Sequence, residues 1–231
     1  MLLNVVILQP SYLPWIGYFD QMHKADVFVY YDDVQYDRDG WRNRNRIRTK
    51  EGSQWLTVPV RLKGKFGIAL NEIEIDEARD WRKKHRQSLH QGYARAPHID
   101  RYRSGIDAIL SEPTEKLVEL NIRLTEHLNQ ELGIRTKTVR SSELGIGGGR
   151  VERLVSICQH VGASRYLTGE AAKNYLDASL FADAGIEIEF HDYRHPEYPQ
   201  IHGGFTPYMS VVDLLFNCGP SSLKILEGRV G

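Results

Sequence analysis

An aromatic and proline-rich segment near the start of the chain is the first candidate for a binding site. It reads QPSYLPWIGYFDQM and separates the apolar stretch VVIL from a segment of helical character. Backbone N–H groups at the start of a helix attract anions, and aromatic rings with polar tips suit a base or a sugar ring. We expect nucleotide or substrate contacts here from Gln9, Tyr12, Trp15, Gly17 and Tyr18. The alternative is that these aromatic rings only cap the core.

A second cluster combines carboxylates with guanidinium and amide groups. Asp32 and Asp33 follow an apolar stretch, and the polar segment WRNRNRI comes a few residues later. Either carboxylate is suited to hold a ribose hydroxyl, to bind Mg²⁺ or to act as a base, and arginine forms bidentate bonds with phosphate or carboxylate. We expect Asp32 and Asp33 to be catalytic, with substrate contacts from Gln35, Asn43, Arg44, Asn45 and Arg46. A solvated loop with internal salt bridges is the alternative.

The last cluster is the histidine-rich segment HDYRHPEYPQ, which begins at His191. Histidine with nearby acids can bind a metal or transfer protons. Two prolines in the segment prevent a helical face of metal ligands, so we favour proton transfer by His195 and substrate contacts from Tyr198 and Gln200, and we predict no metal site. An ordinary polar loop is the alternative.

Two shorter segments complete the candidates. Thr168, Gly169 and Glu170 follow a predicted strand directly, and Tyr175 lies a little beyond them, so we expect all four to contact substrate or nucleotide. The glycine-rich segment GIGGGR, at 145–150, lacks the Lys-Ser/Thr pair of a phosphate-binding loop. We interpret it as a flexible turn, with a phosphate cradle of backbone amides as the alternative.

Apolar stretches that alternate with helical patterns predict the elements that position these residues. The pattern indicates an α/β fold with a doubly wound, mostly parallel, Rossmann-like sheet. Ligands of such sheets gather beyond the carboxyl ends of the strands. We expect one domain over 1–231 with a helical insertion at 77–130. Predicted strands cover 3–8, 26–31, 53–62, 68–75, 136–139, 165–169 and 186–191, with a loop at 63–67, and predicted helices cover most of 80–133, 150–160 and 208–216.

Composition limits the classes of function. Thirty basic and thirty acidic side chains cancel, which argues against a protein that mainly neutralises nucleic acid or an anionic membrane. No leader peptide and no apolar stretch long enough to span a bilayer is present, so we expect a cytoplasmic protein with no membrane partner. Cys158 and Cys218 stand far apart in apolar patterns, and we expect neither to be a nucleophile.

Five segments carry a resemblance to a known family: QPSYLPWIGYFDQM, YYDDVQYDRDGWRNRNRI, WLTVPV, RYLTGEAAKNYL and FHDYRHPEYPQIHGGFTPYMSVVDLLFNCG. They make the chain similar to WbqC-like proteins over essentially its whole length. The resemblance implies a role in the synthesis of bacterial surface polysaccharide, such as O-antigen, or in a related process. It does not specify a reaction.

A second resemblance concerns the aromatic segment alone. Nucleotidylyl transferases and class I aminoacyl-tRNA synthetases carry a His-x-Gly-His motif after the first strand of a similar unit, and Trp15-Ile16-Gly17-Tyr18 falls at that place. The resemblance implies a nucleotidylyl-transferase-like form of the α/β fold. The glycine is kept and both histidines are absent. Because those histidines stabilise charge on a triphosphate, the comparison favours a turn rebuilt for stacking and hydrogen bonding.

These observations favour an enzyme, a transferase or ligase that places an acyl or aminoacyl group on a nucleotide-activated amino sugar. ATP with Mg²⁺, or an acyl or aminoacyl donor, is the candidate co-substrate. An ATP-dependent adenylylating ligase and a non-catalytic nucleotide-sugar-binding or assembly protein are the alternatives. Transfer RNA is a further, less favoured partner on the strength of the WRNRNRIR segment. The apolar face at 212–216 is either core or a contact in a homo-oligomer.

Overall fold

The chain divides into two compact units in the computed structural model, which describes residues 2–62 and 67–229. The sheet unit comprises Met1–Gln9, Asp20–Asp33 and Arg135–Arg194. The helical unit comprises Pro10–Phe19, Val34–Ile134 and His195–Gly231. The expectation of a single domain with an insertion at 77–130 stays a prediction.

Strands and helices alternate along much of the described chain. In chain order they are β1 (Asn4–Leu8), α1 (Ile16–Lys24), β2 (Val27–Tyr30), β3 (Arg44–Thr49), β4 (Gly52–Thr57), α2 (Trp81–Tyr93), α3 (Ile99–Ser111), α4 (Leu117–Leu132), β5 (Lys137–Arg140), α5 (Arg150–His160), β6 (Arg165–Gly169), α6 (Ala178–Asp183), β7 (Glu187–His191), α7 (Val211–Cys218) and α8 (Ser222–Leu226).

The sheet unit is built on a parallel sheet that has five strands among the described residues, in the order β5-β2-β1-β6-β7. Each neighbouring pair is parallel. The order runs outward from β1 through β2 to β5, and then restarts on the other side of β1 with β6 and β7. The α/β fold with a doubly wound parallel sheet is therefore confirmed, and its switch point lies between β1 and β6.

The core of the sheet unit explains the continuous apolar stretches in the sequence. Residues of β1 and β2 that point to one face pack with the inner side chains of α5 and α6, and the alternate residues on the other face are also buried. Strands that are buried on both faces carry apolar residues at every position. Cys158 belongs to this core, where burial raises the pKa of its thiol to about 12, so the thiolate nucleophile is disfavoured.

The helical unit consists of α2, α3, α4, α7 and α8 with an antiparallel hairpin of β3 and β4. Here the predicted elements differ from the structure. The polar segment after Asn43, which was not predicted as a strand, forms β3. The strand predicted at 53–62 is shorter, because β4 ends at Thr57. The strand predicted at 68–75 is instead a short 3₁₀ helix at Leu70–Glu72 with isolated β-bridges around it. Most of the predicted loop 63–67 lies outside the described residues.

No helix in the described part of the chain combines the length and the apolar character that a bilayer span requires. The predicted C-terminal helix is present as α7, and its apolar residues are fully buried within the chain. The apolar face at 212–216 is therefore core.

Candidate functional site

The aromatic turn after β1 is tied into the helical unit through its backbone. Tyr12 and Leu13 are completely buried, and the Leu13 carbonyl accepts a 2.6 Å hydrogen bond from the side-chain amide of Asn45. Leu13 has a φ of 43°, in the left-handed region that a branched residue rarely adopts. The bulk of this turn therefore serves two purposes: most of its aromatic residues are core, and the Trp15 side chain faces an open space.

Gly17 provides room for the ring of Trp15. A Cβ atom built at Gly17 would overlap the distal ring carbons of Trp15, so the ring occupies the space that any other side chain would need. The retained glycine of the aromatic segment thus fixes where the indole lies.

Trp15 is one wall of a cavity in the helical unit. The cavity has a volume of about 310 Å³ and is lined by Trp15, Trp41, Arg46 and Tyr208. Ligand sites in proteins start at about this size and combine aromatic walls with a few polar groups. Two indoles, one phenol and one guanidinium give the cavity flat stacking surfaces and a single positive charge.

Arg46 is held against the aromatic walls without a carboxylate partner. Its guanidinium carbon lies 5.8 Å from the Trp41 ring centre and 5.6 Å from that of Trp55, the residue opposite it in the hairpin. No acidic side chain in residues 2–62 and 67–229 forms an ion pair with Arg46, and its Nε is buried without a hydrogen bond there. The side chain as a whole is partly exposed, and a guanidinium without a carboxylate partner in the wall of a cavity is suited to bind an anion.

His195 stands beside two walls of the cavity. Its ring lies 6.3 Å from that of Trp15 and 5.2 Å from that of Tyr208, centre to centre. Nδ1 donates to the Pro196 carbonyl at 2.9 Å, and Nε2 accepts from the Tyr208 N–H at 3.1 Å. Burial lowers the pKa of this imidazole, and the Pro196 bond offsets part of that shift. The histidine is therefore neutral near pH 7, with Nε2 as its basic atom.

Tyr208 has a strained backbone. Its φ is 60°, and it and Leu13 are the two non-glycine residues with positive φ in the described part of the chain. Strain of this kind persists only where the surrounding structure holds it, and it is concentrated at functional sites. Both strained residues belong to segments that form or support the cavity.

Several other predicted site residues in the helical unit are buried in its framework. Tyr12 Oη and His85 Nδ1 are 2.9 Å apart, and Asn43 donates to the Val58 carbonyl at 2.9 Å. Burial raises the pKa of the hydroxyls of Tyr12 and Tyr18 far above the usual tyrosine value. These groups stabilise the surroundings of the cavity. Gln35, by contrast, is exposed, and its backbone forms an isolated antiparallel β-bridge with Ala69.

Tyr198 and Gln200 converge on a carboxylate that the sequence analysis did not select. The Asp213 side chain is fully buried and accepts hydrogen bonds from Tyr198 Oη at 2.9 Å, Gln200 Nε2 at 2.7 Å and Tyr93 Oη at 2.8 Å. Burial raises the pKa of Asp213, although these three bonds oppose the rise. Asp213 anchors the segment that runs from His195 to Tyr208.

Replacing Gly17 by alanine is expected to displace the Trp15 ring with little loss of overall stability. The overlapping atoms are at the far end of a side chain, which can rotate away. We expect the fluorescence spectrum of the protein to shift and binding to the cavity to fall at least tenfold. Gly147→Ala is the control, because a Cβ there meets no neighbouring atom within 4 Å. Unchanged fluorescence and binding in Gly17→Ala would contradict this assignment.

Asp32 and Asp33 lie in the sheet unit just after β2, and Asp32 binds residues at the end of β5 and just beyond it. Asp32 Oδ2 accepts from Arg140 Nε and from the Ser142 hydroxyl, each at 2.8 Å, and Oδ1 accepts from the Ser142 N–H at 3.0 Å. Asp33 forms an ion pair with Arg153. Burial alone would raise the pKa of Asp32, but the Ser142 and Arg140 bonds outweigh it, so the pKa is lowered.

The lowered pKa of Asp32 predicts a loss of stability in acid. A carboxylate of this kind contributes its full stability above its ordinary pKa, and loses it as the pH falls through the lower pKa of the folded state. Between pH 6 and pH 3 the unfolding midpoint in urea should fall more in the wild type than in Asp32→Asn, which is already destabilised by about 2 kcal/mol at pH 6. Parallel pH profiles for the two proteins would contradict this prediction.

The remaining predicted residues lie near the switch point of the sheet. Gln9 follows β1, and Thr168 and Gly169 end β6, with Thr168 buried. Glu170 is exposed and pairs with Lys173, and the ring of Tyr175 lies under the Arg150 guanidinium at 3.8 Å. No group of three or more His, Cys, Asp or Glu side chains in the described ranges is arranged to hold a metal ion.

The sheet unit also contains a charged cluster that the sequence analysis did not foresee. Asp20 and His191 are both buried and hydrogen-bonded to each other, and Lys24 donates to the same carboxylate oxygen at 2.6 Å. Burial acts to raise the pKa of Asp20, but the bonds from His191 and Lys24 lower it overall. The i,i+4 spacing of Asp20 and Lys24 was visible in the sequence, whereas the partner from β7 was not.

Comparison with known proteins agrees with the sequence motifs. The model of the WbqC-like protein family matches residues 9–225. The chain is 41% identical over 226 residues to an uncharacterized protein of Mycobacterium tuberculosis (strain ATCC 25618 / H37Rv), Rv1507c, and the match covers 97% of each chain. No solved structure matches the chain significantly. Because the family match spans nearly the whole sequence, the chain belongs to the WbqC-like protein family.

Proposed function

We propose that the protein is a transferase that binds a nucleotide-activated amino sugar in the cavity lined by Trp15, Trp41, Arg46 and Tyr208, and places an acyl or aminoacyl group on its amine. The observation that carries this proposal is the combination of three aromatic walls with one uncompensated guanidinium. Aromatic faces stack on a base or on the apolar face of a sugar, and arginine suits the diphosphate between them. The setting would be the synthesis of a surface polysaccharide such as O-antigen, in the cytoplasm.

His195 is the group that we assign to proton transfer. In the reaction the sugar amine attacks the acyl carbonyl carbon, a C–N bond forms, and the bond from that carbon to the sulfur or oxygen of the donor breaks. The amine loses a proton to His195 Nε2, which then passes it to the leaving thiolate or alkoxide. Nε2 is the basic nitrogen because Nδ1 carries the hydrogen. To take the proton, Nε2 would give up the hydrogen bond that it accepts from the Tyr208 N–H.

We do not assign proton transfer to Asp32 or Asp33. Both oxygens of Asp32 accept hydrogen bonds from neighbouring residues, and Asp33 is paired with Arg153. The lowered pKa of Asp32 makes it a weak base, and the Arg153 ion pair occupies Asp33. We propose that both residues hold the ends of β2 and β5 in place.

Ligand-induced stabilisation tests the proposal. A nucleotide-activated amino sugar at 100 times its Kd stabilises the folded protein by about 2.7 kcal/mol, which raises Tm by roughly 5–10 °C for a chain of this size. The free sugar should give a smaller shift than the nucleotide sugar. Tyr208→Ala should abolish the shift while leaving the unliganded Tm close to that of the wild type, because the Tyr208 side chain is half exposed.

Tyr175→Ala is the matched control. We do not assign Tyr175 a ligand contact, because it is an exposed tyrosine that packs under Arg150 and does not line the cavity. It should show the same ligand-induced shift as the wild type. The absence of a shift with nucleotide sugars in the wild type, or an equal shift in Tyr208→Ala, would contradict the proposal.

A further inference from the structure

A second aromatic surface lies next to the cavity on the β3–β4 hairpin. Trp41, Trp55 and Tyr208 are three of the five most exposed large hydrophobic residues in the described part of the chain. The rings of Trp41 and Trp55 pack 5.3 Å apart, centre to centre. Trp55 is 47% exposed and does not line the cavity. Its indole therefore extends the aromatic surface beyond the cavity.

Arg44 accompanies Trp55 on this surface. Its guanidinium carbon lies 5.1 Å from the centre of the Trp55 ring, and one terminal nitrogen donates to the Asp39 carbonyl at 2.6 Å. Arg44 and Arg46 are two residues apart on β3 and therefore share one face of the hairpin. Neither forms an ion pair with an acidic side chain in the described ranges, whereas Arg140 and Arg153 in the sheet unit both do.

We propose that Trp55 and Arg44 bind the nucleotide end of the group donor, an adenosine that carries phosphates. An exposed indole offers a base a stacking surface, and the Arg44 guanidinium on that indole has further N–H groups, beyond the one bound to Asp39, that can donate to phosphate. Coenzyme A thioesters and the 3′ end of aminoacyl-tRNA both present this chemistry together with a transferable acyl group. The inference rests on the proposed function, because it supplies the second substrate of the same transferase.

The arrangement also explains how the two substrates would meet. Trp41 and Arg46 line the cavity and at the same time contact Trp55. A donor on Trp55 and an acceptor in the cavity would therefore lie on either side of one shared wall. Holding two reactants side by side in this way contributes much of the rate of a transfer reaction.

Calorimetric titration of the full chain at low salt tests the inference with three probes: adenosine 3′,5′-bisphosphate, coenzyme A and a short single-stranded RNA that ends in CCA. We expect at least one probe to bind the wild type, and Trp55→Ala to weaken that binding on the order of tenfold or more. Trp55→Phe should restore most of it. Tyr208→Ala should change it less than twofold, although we expect the same substitution to abolish nucleotide-sugar binding.

The pattern of outcomes separates the two proposals. Binding of coenzyme A alone identifies a thioester donor, binding of the RNA alone identifies aminoacyl-tRNA, and either supports the inference. If the probes bind in a Trp55-dependent way while nucleotide sugars do not bind, the donor site stands and the proposed function fails. If no probe binds, or if Trp55→Ala binds as well as the wild type, the inference is wrong.

Discussion

Replacing Asp213 by alanine is expected to lower the free energy of unfolding by about 3 kcal/mol or more. The carboxylate is buried and accepts hydrogen bonds from Tyr93, Tyr198 and Gln200. Each buried donor that is left without an acceptor costs about 1–3 kcal/mol, although the two hydroxyls can rotate and recover part of this. Urea denaturation at pH 7 measures the change.

Asp100→Ala is the control for this substitution. Asp100 also stands in the first turn of a helix, α3, but it is exposed. It should therefore change the free energy of unfolding by less than about 0.5 kcal/mol. Equal unfolding midpoints for the two variants would contradict the role assigned to Asp213.

The pKa of Asp213 gives this prediction a pH dependence. Because burial raises the pKa in the folded state, the stability linked to the protonated form is fully present at low pH and is lost as the pH rises through the folded-state pKa. Asp213→Asn does not titrate. We therefore expect the wild type to gain stability relative to Asp213→Asn as the pH is lowered from 7 towards 4.

Replacing Arg46 by alanine is expected to weaken nucleotide-sugar binding by roughly 10- to 100-fold. A hydrogen bond to a charged group contributes about 1.5–3 kcal/mol, and every 1.4 kcal/mol is a factor of about ten. Arg46→Lys should rescue little of the loss, since an ammonium neither stacks on two indoles nor binds a diphosphate in a bidentate way. Isothermal titration calorimetry with the nucleotide sugar measures the effect.

Arg61→Ala provides the control for Arg46. Arg61 is an arginine of the same unit whose side chain is 58% exposed and lies near Glu74 and Asp76. Its removal should leave the affinity within twofold of the wild type. An affinity in Arg46→Ala that matches that of Arg61→Ala would show that the guanidinium in the cavity does not bind the ligand.

The parallel sheet could be predicted because its sequence pattern is local. Strands that are buried on both faces read as short continuous apolar stretches, and β1 and β2 both show this pattern. The helices α4 and α5 were predicted from apolar residues at helical spacing in the same way. In each case the pattern that predicts the element lies within the residues that form it.

The hairpin could not be predicted in the same way, because its exposed face carries charge. The sequence RNRIRT of β3 has arginine at every second position, and only the intervening side chains are buried. From sequence alone such a segment resembles a polar loop. Its strand character is evident only from the structure, where Arg46 lies opposite Trp55 in the hairpin. The one indication in the sequence that the chain reverses direction between β3 and β4 was Gly52, which has a φ of 125°.

Asp213 illustrates what long-range contacts add. It is a single acid in the apolar helix α7, and its role depends on Tyr93, which lies 120 residues away in the chain. Tyr198 and Gln200 are expected from the sequence to contact substrate, whereas in the structure their polar groups donate to Asp213. A lone carboxylate among buried positions was a visible anomaly, but its partners become known only when the segments are brought together.

A crystal structure of the protein soaked with a nucleotide-activated amino sugar is the most direct test of the central claim. We predict electron density for the ligand between Trp15, Trp41 and Tyr208, with its diphosphate at the Arg46 guanidinium. Density at full ligand occupancy elsewhere, with this cavity empty, would contradict the claim and remove the basis for the proposed transferase.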